Sequence, residues 1–192
     1  KFVSLFKDLK LGNKKSNTLP HHIGWEHIRS ETKKTIENYD SNQSKLNLGF
    51  KLSDLTDFER KYVLNIYSFI LGGSGDSKLF KNLREKHSMC YYINSYYNNL
   101  YDTLEIKAGI NSNNLDLSLK LIKEEMQNIE DGKIDDIEIE KAKTTYISAC
   151  KSIYDSESSI ITIYLSHEYF GSDLLEEKIE NITKVTREDL IN

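Results

Sequence analysis

Arg84 and Tyr91 are the residues whose types and spacing first suggest chemistry. They stand seven positions apart, the arginine near the end of a helical pattern and the tyrosine early in an alternating one. A guanidinium and a phenol hydroxyl both donate hydrogen bonds, so together they could hold a backbone carbonyl or an oxyanion. The alternative is a surface arginine near a half-buried tyrosine, with no chemical role.

A run of glycines precedes this pair, with Gly72, Gly73 and Gly75 interrupting a helical pattern. The run does not fit a phosphate-binding loop, because such a loop needs Gly-Lys-Ser/Thr and Gly75 is followed by Asp76. We interpret it as a flexible turn between two helices. Its small residues could also let a peptide backbone approach closely.

The histidines of the N-terminal segment do not form a zinc motif. An inverted motif, His-x-x-Glu-His, ending at His27 would need histidine at position 23, where the chain has Ile23. Nucleophilic catalysis also lacks a signature, since Cys90 has only His87 nearby as a base. We therefore expect no metal or other cofactor within this chain.

Composition excludes two classes of partner. The net charge is −4 with no basic stripe, which argues against nucleic acid, and no apolar stretch approaches the roughly 18 residues of a membrane span. Cys90 and Cys150 lack metal-ligand spacing and lie in apolar segments. They are expected to be buried free thiols in a reducing compartment, which predicts a cytoplasmic protein.

Three stretches alternate between apolar and polar residues, as strands do. The first is 45–52, with Leu46, Leu48 and Phe50 on one face. The other two are joined by a polar turn at 98–102, which favours an antiparallel hairpin. In the second stretch, alternation predicts Met89, Tyr91 and Ile93 on one face and Cys90 and Tyr92 on the other.

Helical spacing of apolar residues indicates helices between and after these strands. The first starts from Ser53 or Asp54, or from a capping box of Thr56 and Glu59. The predicted helical stretches are approximately 55–72, 76–86, 113–131, 135–153, 160–170 and 174–182, with a further start at Thr186. Strands that pair locally and helices in blocks predict an α+β fold, an antiparallel sheet with helices packed on one face.

The central stretch Leu71–Lys86 reads LGGSGDSKLFKNLREK and is followed by Tyr91. It resembles the second homology domain of the M16 metallopeptidases (pitrilysin, insulysin and the mitochondrial processing peptidase), which carries LGGG-x-SRLF-x-x-LREK and then a tyrosine. The resemblance covers about Thr35 to Ile191. The chain departs from the family pattern at Lys78, where arginine is usual, and at Met89 and Cys90.

The resemblance implies a domain organisation. Residues 1–12 would be the tail helix of a preceding domain and residues 13–34 a linker. Residues 35–192 would be an M16-like C-terminal domain whose final element is truncated. The implied fold, a sheet with helices on one face, agrees with the residue patterns.

The resemblance also implies a function. In the family, an arginine and a tyrosine at this spacing bind substrate near the scissile bond, which places Arg84 and Tyr91 in that role. The zinc lies in a partner half, on His-x-x-Glu-His. The chain would thus be the non-zinc, substrate-binding half of a peptidase, inactive alone, acting on a peptide with a zinc-bearing domain of the same chain or a separate subunit, as in some paired bacterial paralogues. A dimer is one assembly this implies, and a non-catalytic scaffold or partner subunit is the alternative.

Overall fold

The computed structural model of the chain describes residues 31–191. The predicted tail helix at 1–12, and all but the last few residues of the predicted linker at 13–34, lie outside the described residues, so these domain boundaries stay predictions. Residues 31–43 are exposed and form neither helix nor strand. The regular structure therefore begins at Ser44, within the predicted C-terminal domain.

The sheet has three antiparallel strands, β1 (Ser44–Lys51), β2 (Cys90–Asn98) and β3 (Thr103–Ile110), in the order β1-β3-β2. The predicted hairpin is β2 and β3, joined through residues 99–102. The first strand pairs with the other side of β3, so that β3 lies in the middle. Alternation had indicated each strand but not this order, because pairing between distant strands depends on tertiary packing.

Seven helical segments and three short helical turns accompany the sheet in the described part of the chain. The segments are α1 (Leu64–Gly72), α2 (Phe80–Lys86), α3 (Leu115–Glu130), α4 (Asp136–Lys151), α5 (Glu157–Phe170), α6 (Leu175–Thr183) and α7 (Arg187–Ile191). The segment α2 is π-helical, and a π-helical turn at Glu59–Val63 leads into α1. The other two turns are 3₁₀ helices, at Ser112–Asn114 before α3 and at Ser152–Asp155 after α4.

The helix before the glycine run begins at the predicted capping box. The Thr56 amide donates to the Glu59 carboxylate at 2.6 Å, and the Glu59 amide donates to the Thr56 hydroxyl at 3.2 Å. This reciprocal pair satisfies amides that a helix start leaves without partners. The next helix begins later than the predicted Asp76, because residues 74–77 form a turn in which the Ser77 hydroxyl donates to the Ser74 carbonyl at 2.6 Å.

The helices cover one face of the sheet, as the sequence predicted. Ile106 and Ile110 of the middle strand are almost completely buried beneath them. Burying an aliphatic side chain of this size stabilises a fold by about 1.5–3 kcal/mol. The helices contribute several side chains with no more than 1% exposure to the same core: Ile66, Leu71, Leu79, Leu83, Ile122, Ile129 and Ile182. The fold class is therefore confirmed.

Candidate functional site

Arg84 lies in the last turn of α2, and its side chain is exposed. The preceding residue, Leu83, is fully buried, which anchors the helix to the core. The Arg84 guanidinium carbon lies 4.7 Å from the centroid of the Phe80 ring, so the ring face supports the cation. No carboxylate of the described residues lies within ion-pairing distance of Arg84, so its N–H groups remain available to an external acceptor.

Tyr91 is the extra residue of a β-bulge. Cys90 pairs with Ile110 and Tyr92 with Gly109, so Tyr91 has no partner residue on β3. Its side chain is 75% exposed. Within the described structure its hydroxyl makes no hydrogen bond, which leaves the O–H free for a ligand.

The predicted assignment of the β2 side chains to the two faces of the sheet was wrong. The bulge shifts the alternation, so the buried face carries Cys90, Ile93, Ser95 and Tyr97, while Tyr91 is exposed. An extra residue in one strand moves every later side chain to the opposite face, and strict alternation cannot anticipate that shift.

A short turn brings the end of α2 to the start of β2. The Ser88 amide donates to the Arg84 carbonyl at 3.1 Å and the Met89 amide donates to the Leu83 carbonyl at 2.7 Å. Ser88 has a φ of 52°, in the left-handed region that reverses a chain sharply. The Arg84 guanidinium consequently lies within electrostatic reach of Cys90: burial raises the pKa of that thiol, and the charge of Arg84 opposes the rise. The charge of Arg84 therefore acts on the residue adjacent to Tyr91.

The three glycines occupy different environments. Gly72 is buried as the last residue of α1, and a Cβ placed on it would lie 2.6 Å from the Ser95 backbone nitrogen of β2. Its lack of a side chain therefore lets the protein's own strand approach the helix. Gly73 and Gly75 are exposed, and a Cβ on Gly75 would meet nothing within 4 Å. Flexibility of this turn and an approach by a substrate backbone stay predictions.

Lys78, the departure from the family pattern, connects α2 to the body of the domain. Its ammonium lies 3.2 Å from the Glu138 carboxylate and donates to the Lys133 carbonyl at 2.9 Å. Both partners lie at the start of α4 or just before it. These contacts hold the start of the helix that carries Arg84 against the rest of the domain.

The other face of the sheet is not covered by any helix or strand of residues 31–191, and no sequence pattern had indicated a role for it. Lys45, Gly109 and Tyr92 lie in one row across it, since Gly109 pairs with both of the others. A Cβ on Gly109 would lie 2.5 Å from a ring carbon of Tyr92, so this ring rests over the middle strand. The alternating pattern of β1 could have indicated Lys45, but the bulge concealed which side Tyr92 faces.

The described residues do not offer a metal site. No group of three or more histidine, cysteine, aspartate or glutamate side chains within residues 31–191 is arranged to hold an ion. His21, His22 and His27 lie outside the described residues. None of the described helices combines the length and the apolar composition needed to cross a membrane.

The sequence profile of the family described as "Peptidase M16 inactive domain" matches residues 2–146. The chain belongs to this family of inactive M16 domains, as the motif around Arg84 and Tyr91 had suggested.

Two curated relatives have names that are consistent with this family. An "Uncharacterized zinc protease" of Rickettsia felis is 32% identical over 197 residues, which cover 98% of this chain and 44% of the relative. A Bacillus subtilis protein named "Probable inactive metalloprotease YmfF" is 28% identical over 163 residues, covering 84% of this chain and 38% of the relative. The chain therefore spans less than half the length of these relatives.

Solved structures share the fold. A conserved protein from Enterococcus faecalis V583 superposes with a TM-score of 0.85 at 29% identity, over 98% of this chain and 45% of that one. A peptidase M16 inactive domain from Pseudomonas fluorescens superposes with a TM-score of 0.67 at 17% identity, over 90% of this chain and 39% of that one. These similarities confirm the α+β architecture.

Proposed function

We propose that this domain is the substrate-binding half of an M16-type zinc peptidase, inactive alone and completed by a zinc-bearing half. The observation that carries the proposal is the pair Arg84 and Tyr91. Both side chains are exposed, both lie at the junction of α2 and β2, and neither is bonded to an oxygen of the described structure. Two donors left available at the same helix–strand junction suit an oxygen-bearing ligand.

A peptide carbonyl near the scissile bond is the ligand that this pair suits. Peptide hydrolysis places negative charge on the carbonyl oxygen, and preorganised donors stabilise that charge more than they stabilise the ground state. The guanidinium supplies charge and several N–H donors, and the phenol supplies one O–H donor. Contact with the Phe80 ring restrains the arginine in advance, which lowers the entropy lost on binding.

The zinc and the nucleophilic water would come from the partner half, held by a His-x-x-Glu-His motif. The zinc would polarise the carbonyl and activate the water once bound there. The partner half lies either in the same polypeptide or in a second subunit. Since the chain covers under half of its relatives, the remaining length can accommodate such a domain. We further propose a cytoplasmic location, consistent with the two buried free thiols Cys90 and Cys150.

Turnover by the full-length zinc-loaded protein tests this function. We expect Arg84→Ala to lower kcat by about 100-fold, as the loss of one charged oxyanion donor does in other enzymes, and Tyr91→Phe to lower it by about tenfold. Lys86→Ala is the matched control, because Lys86 is exposed two residues further along and projects from a different side of the helix. Unchanged turnover in both site variants would exclude the proposed role.

A non-catalytic scaffold is the second candidate. The observation favouring it is that one relative is named as an inactive metalloprotease. Zinc content and peptide cleavage of the full-length protein, with and without a chelator, separate the two functions. Bound zinc with chelator-sensitive cleavage supports the peptidase. Absence of both, even with a zinc-bearing partner added, supports the scaffold.

A further inference from the structure

The open face of the sheet carries a row of three residues beside the proposed peptide site. The strands β1 and β2 both run antiparallel to β3, so both begin at the same end of the sheet. Lys45 is the second residue of β1, and Tyr92 follows Tyr91 directly in β2. Lys45 and Tyr92 therefore lie on either side of Gly109, at the end of the sheet where Arg84 and Tyr91 are found.

The absence of a side chain at Gly109 lets the Tyr92 ring lie over the middle strand, and we call this row of Lys45, Gly109 and Tyr92 the platform. A Cβ there would lie 2.5 Å from Cε1 of Tyr92 and 2.9 Å from the Gln43 side-chain nitrogen. The tyrosine ring and the glutamine amide therefore both lie close to the backbone of the middle strand at Gly109. An aromatic face bordered by an amide can support the aliphatic stem and the backbone of a ligand.

No other part of the described structure covers this face. A Cβ on Gly49 would have nothing within 4 Å, and Tyr96, in the row of Gly49, is 55% exposed. Asn47 and Lys107, in the row between, are also exposed.

The charge at this end of the face is positive and uncompensated. Lys107 is neutralised by Glu105, whose carboxylate lies 2.7 Å away. Lys45, like Arg84, has no carboxylate within ion-pairing distance among the described residues. The whole chain carries a net charge of −4, so the uncompensated Lys45 on this face is not explained by a general excess of basic residues.

We propose that this platform is a specificity subsite for an acidic side chain of the bound peptide. Lys45 binds the carboxylate, and the Tyr92 ring over Gly109 supports the stem of that side chain. The proposal rests on the proposed function, because Arg84 and Tyr91 must hold the peptide in place. Two strand spacings separate Lys45 from Tyr92 by about 10 Å, which an extended peptide crosses in about three residues. The favoured acidic residue is therefore within about three positions of the residue held by Arg84 and Tyr91.

Peptide affinity of the full-length protein tests this subsite, with zinc removed by a chelator to prevent cleavage. The probes are fluorescent peptides that carry one glutamate at successive positions, each with a glutamine counterpart. We expect glutamate at one position to improve Kd by about threefold to fivefold over glutamine, the gain of one exposed ion pair. Lys45→Gln should abolish this preference, while the control Lys123→Gln, an exposed lysine of α3, should preserve it.

The outcomes separate this subsite from the site on which it depends. Peptides that need Arg84 and Tyr91 for binding but show no glutamate preference, or keep it in Lys45→Gln, would overturn the subsite and leave the proposed function intact. Binding that is insensitive to Arg84→Ala and Tyr91→Phe would overturn both. Lys45 should also react with an acetylating reagent in the free protein and be protected by the glutamate peptide. An unreactive Lys45 in the free protein would mean that another part of the protein covers the face, which also overturns the subsite.

Discussion

Two pairs of arginine and tyrosine in this domain have opposite surroundings. Around Asp102, the Arg60 guanidinium donates to the carboxylate at 2.9 Å and the Tyr97 hydroxyl donates to the same oxygen at 3.0 Å. Asp102 is 5% exposed, and burial together with the charge of Asp102 raises the pKa of Tyr97. Arg84 and Tyr91 are exposed and have no such carboxylate among the described residues.

The contrast shows that residue type alone does not assign a role. Removing the carboxylate from the buried group would leave the Tyr97 hydroxyl without its acceptor and Arg60 paired only with the exposed Asp57 carboxylate, so that group belongs to the fold. Leaving the exposed pair without a protein acceptor costs little, because water satisfies both side chains. Evidence for function therefore comes from hydrogen-bond donors that the fold holds in place without giving them an acceptor from the protein.

Asp102→Ala is expected to have the largest effect on stability. It removes the acceptor of the Tyr97 hydroxyl and of the Arg60 Nε, and it places alanine at a φ of 47°, in the left-handed region. We expect the free energy of unfolding, measured with urea, to fall by about 4 kcal/mol. Asp102→Asn is the control, because asparagine tolerates this backbone and keeps an acceptor, and it should cost less. A loss under about 1 kcal/mol in Asp102→Ala would show that the buried network is not structural.

Gly72→Ala and Gly75→Ala test the same contrast, between a packed and an exposed position, with a single residue type. At Gly72 a new Cβ would lie 2.6 Å from the Ser95 nitrogen, so α1 and β2 would have to separate, at a cost of about 2 kcal/mol. At Gly75 the Cβ would meet nothing within 4 Å, so we expect a change within about 0.5 kcal/mol. Urea unfolding of both variants is the measurement. Equal losses would contradict the assignment of Gly72 to the fold and Gly75 to an open turn.

Thr56→Ala is expected to lower the free energy of unfolding by about 1 kcal/mol at neutral pH, as the loss of a helix cap does. The hydrogen bonds from the Thr56 hydroxyl and amide hold the pKa of Glu59 below its usual range. A lowered pKa means that the ionised carboxylate stabilises the fold above its unfolded pKa, and that this contribution is lost as the pH falls through the folded pKa.

The difference in unfolding free energy between wild type and Thr56→Ala should therefore shrink as the pH is lowered from about 6 to about 3. Thr145→Ala is a control for threonine removal, since its exposed hydroxyl bonds only the carbonyl of Lys141. A difference that stays constant with pH would contradict the capping role of Glu59.

Local patterns predicted most of the elements. The alternation of β1, the polar turn of the hairpin and the apolar stripe of α3 each arise from residues close in sequence, so each was readable directly. The motif around Arg84 and Tyr91 was found through a resemblance, on a long run of specific residues.

Features that depend on contacts between distant residues could not be predicted from the sequence. The network around Asp102 joins it to Arg60, 42 positions away, and nothing local indicates that contact. The bulge at Tyr91 follows from pairing with β3, so the face of Tyr92 and its approach to Gly109 could not be inferred from alternation. The row that includes Lys45 requires the strand order, which only tertiary packing determines.

Arg84→Ala with Tyr91→Phe is expected to have the smallest effect on stability, within about 0.5–1 kcal/mol, since only the contact of the guanidinium with Phe80 is lost. This double variant tests the central claim most directly. The measurement is its affinity for an uncleaved peptide in the full-length, zinc-depleted protein, with the unfolding free energy measured on the same sample. We predict at least a tenfold rise in Kd with almost unchanged stability. An unchanged Kd, or a Kd that rises only together with a large loss of stability, would contradict the claim that this pair binds a peptide.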